Sequence, residues 1–236
     1  MDVVDEFRHL RKRLKNVESL TVLGTSKTVH PSLILSGLTY DETSSCTVQT
    51  GEHFSFLERV GASNVAANLG EEVFQLLQSK PGEVYGACQV YFQNVHKWMP
   101  VISQSLFYRR MTQFSQTKQT DFSLLLLGVC LLVHYPLSDC TEDPLYKIVK
   151  RNYWHFSSSL EVSIELAQAG LLIAAYEHAS GLIEASYHTI GLCARMGYWM
   201  GLHKQQLEAD LPKDSDAWLE NAERCNVWCG IFIRDR

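Results

Sequence analysis

The residues best suited to chemistry are cysteines and histidines at helical spacing. Cys130 and His134 stand four apart, as do Cys225 and Cys229, a separation that puts two ligands on one face of a helix where zinc could use them. Both pairs sit inside apolar runs, where free cysteine is an ordinary core residue, so a buried thiol competes with the metal reading. The seven cysteines (46, 88, 130, 140, 193, 225 and 229) are odd in number and include no CxxC pair. They imply neither a disulfide framework nor a complete zinc site within this chain, and a reducing compartment is expected. No HExxH, GxSxG, GxxxxGK[ST] or GxGxxG occurs, nor an aspartate-rich run of the kind that holds magnesium in helical prenyl-diphosphate enzymes. The pair Glu71-Glu72 reads as a solvated face. A catalytic role is not expected.

Composition narrows the partners. The 236 residues carry 21 basic and 26 acidic side chains, a formal charge of −5, which opposes a broad nucleic-acid face. The longest apolar run, FSLLLLGVCLLVHY (122–135), is too short for a bilayer, which takes about 20 residues. It predicts a helix buried on most sides, and no membrane association.

The elements that must position any site read as helices. Val3, Phe7, Leu10, Leu14 and Val17 step by 4, 3, 4 and 3, a heptad-like seam over residues 3–20. Ser, Thr, Pro31, Gly37 and Gly51 then mark a linker. Helical spacing returns over 64–79 and stops at Pro81-Gly82, and further helices are expected through 83–99, 103–114, 122–135, 144–156, 160–180, 182–202 and 218–236. Ser103 is a candidate N-cap and Pro144 a tolerated first-turn residue. The expected architecture is all-α, a multi-helical array of packed antiparallel helices, with residues 1–20 as an amphipathic helix, 21–62 as linker and 63–236 as the helical domain.

The stretch YHTIGLCARMGYWMGLHK (187–204) carries the sharpest pattern. On a helix, Gly191, Ala194, Gly197 and Gly201 fall within about 120° of arc, a stripe that would let a neighbouring helix come close. Leu192, Met196, Trp199 and Met200 lie opposite and would bury apolar area. Each glycine costs about 1 kcal/mol relative to Ala, so packing on both sides is expected, making this an interior helix. His203 reads as a helix-end cation facing the C-terminal dipole. Arg195 is the outstanding polar residue: buried, it needs a partner, with Asp235 or Glu177 as candidates, or else it reaches solvent. On 216–236, Trp218, Cys225, Trp228, Cys229 and Phe232 share one side and would leave an apolar face without its partner.

Taken in order, YFQNVHKWMPVISQSLF, LLLLGVCLLVHY, LAQAGLLIAAYEHASGLIEASYHTIGLCARMGYWMGLHK and VWCGIFIRDR resemble the fungal-specific transcription factor domain, the middle homology region of zinc binuclear-cluster regulators. The residues that carry the resemblance are Tyr176-Glu177, Gly191, Ala194-Arg195-Met196, Gly201-Leu202-His203, Trp228 and Asp235-Arg236. The likeness implies a non-catalytic nuclear regulator of transcription by RNA polymerase II, modulated by a small-molecule effector or a coregulator. It implies no cofactor within this chain, since the family's zinc and its sequence-specific DNA contacts belong to a six-cysteine module absent from these residues. The seam over 3–20 resembles the linker that follows that module and implies a homo- or heterodimer. The family's domain continues past the point where this sequence stops, and its basic run with paired tryptophans is replaced here by Arg224-Cys225-Asn226-Val227-Trp228-Cys229. The readings left open are a helical enzyme with an unrecognised site and a dominant-negative partner of full-length relatives.

Overall fold

A computed structural model of the chain describes residues 69–133, 143–159, 161–204, 212–213 and 215–235. The seam at 3–20, the linker and their boundaries lie outside the described residues. Among the described residues there are eight α-helices and no strand: α1 (Leu69–Ser79), α2 (Pro81–Gln93), α3 (Gln104–Thr117), α4 (Thr120–Val133), α5 (Pro144–Ser159), α6 (Ile164–Ala179), α7 (Ile183–Trp199) and α8 (Asp216–Arg234). Two 3-10 turns, Val95–Lys97 and Leu202–Lys204, follow α2 and α7.

Local chemistry explains most boundaries. Pro81 does not merely end α1: a single residue later it opens α2, at a position where its missing N–H costs nothing. Pro144 likewise opens α5. Ser163 and Ser215 cap α6 and α8 with side-chain oxygens that accept from Leu166 N and Trp218 N. Gly181, at φ +77°, takes the left-handed conformation that stops α6. Ser103 stands at the N-cap of α3, but its hydroxyl makes no cap bond. Its backbone N–H is taken up instead by the Glu223 carboxylate of α8, at 2.9 Å.

The core forms around α4 and α6. Every residue of α4 from Phe122 to Leu132 is buried, and every residue of α6 from Leu166 to Glu177. These two helices pack on each other, α1, α2 and α5 also cover α4, and α5, α7 and α8 also cover α6. Close approach depends on glycine at Gly170, where a Cβ would collide with the Tyr153 hydroxyl and Cys193 Sγ. Among the described residues no helix is long and apolar enough to cross a membrane.

The helix over 187–204 departs from its expected form. It ends at Trp199, because Gly201 turns left-handed at φ +69° and a 3-10 turn follows. Of the glycines in the small-residue stripe, Gly197 alone meets a neighbour closely, with its Cβ position 3.0 Å from the Trp228 ring and 3.2 Å from Ile231 of α8, while Ala194 is half-buried against the core. At Gly191 a Cβ would stand in open space. Met196 is buried beside Gly197, not opposite it, and Trp199 is 84% exposed. So α7 packs along one face, against α6 and the end of α8, and its other face is open; it is not an interior helix.

Candidate functional site

Two buried polar clusters tie the helices together. The first sits where α5, α6 and α7 meet. Glu177 closes the fully buried 166–177 stretch of α6, and its side chain has no exposed surface. Burying a charge without partners is prohibitive, and the partners are present. Tyr146 donates to Oε1 at 2.7 Å, Lys150 Nζ donates to the same oxygen, and the Thr189 hydroxyl donates to Oε2 at 2.6 Å. Lys150 also donates to Thr189 Oγ1 at 2.5 Å, closing the ring. Beside Glu177 in sequence, Tyr176 donates to Asp143 Oδ2 at 2.8 Å while its ring stacks on Tyr146. Burial, and then the Glu177 carboxylate, raise the Tyr146 phenol. Burial raises Tyr153 and pushes the Cys193 thiol up to about 12, where the two share a contact of 3.3 Å. These groups are held neutral in the interior, a setting for structural polar contacts.

The second cluster joins α3, α6 and α8. Arg110 pairs with Glu165 at 3.1 Å and Glu223 at 3.0 Å. Burial lowers the Arg110 guanidinium, but Glu223 and Glu165 outweigh it and the net shift is upward. Burial raises the Glu165 carboxyl against the opposing pull of Arg110. At the outer edge of this cluster lies a groove of about 590 Å³ between the 100–105 segment, α3 and α8. His96, Tyr108, Trp218, Ala222, Glu223 and Asn226 are among its walls. The His96 Nδ1 is buried with no hydrogen-bond partner among the described residues, and burial lowers that imidazole. The groove is open to solvent and joins aromatic surface to a few polar groups.

The residues singled out in the sequence do not converge. Tyr176 and Glu177 are central to the first cluster. Gly191 and Arg195 lie on the open face of α7, and Arg195 is exposed. Neither Asp235 nor Glu177 serves it: Glu177 is committed to Lys150, Tyr146 and Thr189, and Asp235 is the exposed C-cap of α8. Gly201 forms the turn after α7. His203, expected to face the end of that helix, lies in the 3-10 turn with its ring 4.8 Å from Tyr198 and 6.0 Å from Trp228. Trp228 packs on Gly197 and, edge-on, on Tyr198. Arg236 and His134 lie outside the described residues. Among the described residues no group of three or more His, Cys, Asp or Glu is placed to hold a metal ion. Sequence reading missed Lys150, Thr189, Arg110 and Glu223; Glu177, the one charged residue of the 166–177 run, was the available signal for the first pair.

The stretch that places Tyr176-Glu177 at a three-helix junction and closes Trp228 on Gly197 is one that a known family covers: the fungal specific transcription factor domain matches residues 88–236. The chain belongs to that family. A curated relative, transcription factor BOA15 of Botryotinia fuckeliana (strain B05.10), is 29% identical over 135 residues, covering 57% of this chain and 75% of that protein. No solved structure gives a significant match. In this fungal transcription factor domain, the matched region takes in both polar clusters, the groove and all of α7 and α8. Its role is in transcription regulation.

Proposed function

We propose that the chain acts in the nucleus as a non-catalytic regulatory domain whose activity is set by an effector, a small metabolite or a coregulator, seated in the α3/α8 groove. The groove carries this reading because it adjoins Glu223, whose carboxylate ties Ser103 N before α3 and Arg110 on α3 to α8. An occupant that shifts α8 would alter those contacts, giving binding a differential effect on two arrangements of the array. The family and BOA15 support the regulatory setting. DNA sequence would be read by another module, because base readout needs side chains delivered into a groove and the basic residues here could at most touch phosphates.

The test is a reporter assay with the chain fused to a heterologous DNA-binding domain. The fusion should change transcription relative to the DNA-binding domain alone, and Ala222→Trp, which fills the groove, should abolish or lock that change while the helical melt stays cooperative. A folded fusion without effect on the reporter refutes the regulatory reading. A folded Ala222→Trp fusion that behaves as wild type removes the groove from it.

A further inference from the structure

The open face of α7 is unusually apolar for a solvent-facing helix. Of ten exposed large hydrophobic residues among those described, four lie on it: Ile183, Tyr187, Tyr198 and Trp199. At 100° per residue, Ile183, Tyr187, Gly191 and Tyr198 fall within about 80° of arc, with Glu184 and Arg195 directly beside them. Gly191 stands near the middle of this face, and no packing among the described residues requires its missing Cβ. Glycine inside a helix is costly, and here what it leaves is a notch with aromatic residues toward both ends.

We propose that this face pairs with the same face of a second copy of the chain, two α7 helices crossing antiparallel near Gly191. The occupant follows from charge. Both Glu184 and Arg195 are exposed, with Glu184 toward the N-terminal end and Arg195 toward the C-terminal end. An antiparallel two-fold centred within two residues of Gly191 sets Glu184 of each copy against Arg195 of the other. A parallel pairing would oppose like charges. The arrangement is isologous, as a two-fold contact must be, and it opposes the helix dipoles favourably. Gly191 lets the axes approach, and Tyr187 and Tyr198 close over the crossing from either end. A contact of one helix per copy is small, so a micromolar dissociation constant is expected. This pairing does not depend on the groove, and it differs from association through residues 3–20.

Sedimentation of the full 236-residue chain over a concentration series tests it. Wild type should dimerise. Glu184→Arg and Arg195→Glu should each weaken the dimer at least about tenfold, since each sets like charges together twice. Mixing the two variants in equal amounts should restore it, because both opposed pairs then become attractive. Gly191→Ala should raise the melting midpoint yet lower the dimer fraction, a combination that a folding defect cannot produce. A triple change of the heptad seam, Phe7→Asp with Leu10→Asp and Leu14→Asp, should leave the dimer intact. Any one of the following overturns the proposal: a wild-type monomer throughout, a dimer indifferent to both charge reversals, a mixture that stays monomeric, or a dimer lost with the seam.

Discussion

At Glu177 a carboxylate without exposed surface is balanced by one ammonium and two hydroxyls, and that balance makes its partners costly to remove one at a time. Lys150→Met should destabilise the fold by about 3–5 kcal/mol, because it leaves a buried charge uncompensated. Pairing it with Glu177→Leu should cost less than the two single changes added together, since the uncompensated charge is gone. Urea midpoints for the two singles and the double measure this; strict additivity would mean that the two groups do not interact. His96 makes a second residue-scale prediction. Burial lowers its folded-state pKa below the ordinary 6.5, so below that pH the unfolded chain binds the proton more readily than the folded one. The stability His96 contributes is present above pH 6.5 and lost as pH falls below it. Between pH 7.5 and 5.5, His96→Gln should therefore lose less stability than wild type, read by denaturant titration at each pH.

Glycines that look alike in sequence differ once helices have neighbours, and α6 and α7 show the contrast. Gly170→Ala drives a methyl into Tyr153 and Cys193, an overpacking that typically costs about 1–3 kcal/mol. Gly191→Ala meets open space and should stabilise the helix by up to about 1 kcal/mol at concentrations where the chain is monomeric. Gly197→Leu should destabilise more than Gly86→Leu, because Trp228 and Ile231 crowd the first and nothing crowds the second. Thermal melts of these variants check the order. The same contrast marks what sequence could convey about elements. The all-round apolar character of 122–132 announces a buried helix whatever surrounds it, and Pro144 and Gly181 mark ends through backbone chemistry alone. Which side of α7 is covered depends on where α6 and α8 fall, and that is a tertiary fact with no local signature. For this reason Arg195 could be read either as a buried cation or as one that reaches solvent; it is exposed, and the cations of the two seams are the largely covered Lys150 and Arg110.

At the largest scale, the eight described helices enclose one hydrophobic core, and its two charged seams lie at helix junctions: α5/α6/α7 around Glu177 and α3/α6/α8 around Arg110. The groove adjoins only the second seam, so effector changes should register at α8 before they reach α5. DNA binding by the chain alone should be weak, indifferent to sequence and lost steeply with salt, given the −5 charge. Mobility shifts on unrelated duplexes at two salt concentrations measure this. Tight, salt-resistant binding to one sequence would contradict it. The architecture itself was foreseeable from helical periodicity, whereas the seams were not: Arg110, Glu165 and Glu223 are far apart in sequence and meet only through packing.

Three thiols, Cys88 on α2, Cys130 on α4 and Cys193 on α7, are buried in the described core, and burial raises the pKa of each. Thiolate is the reactive form, so an alkylating reagent should find them inert in the native protein and must wait for the chain to open. Their position on three different helices makes them internal clocks for that opening. Since α7 is covered on one face only, Cys193 should become alkylated through local detachment faster than Cys130, which is released only when the centre of the core comes apart. Pulsed alkylation followed by peptide mass spectrometry would read the two rates separately.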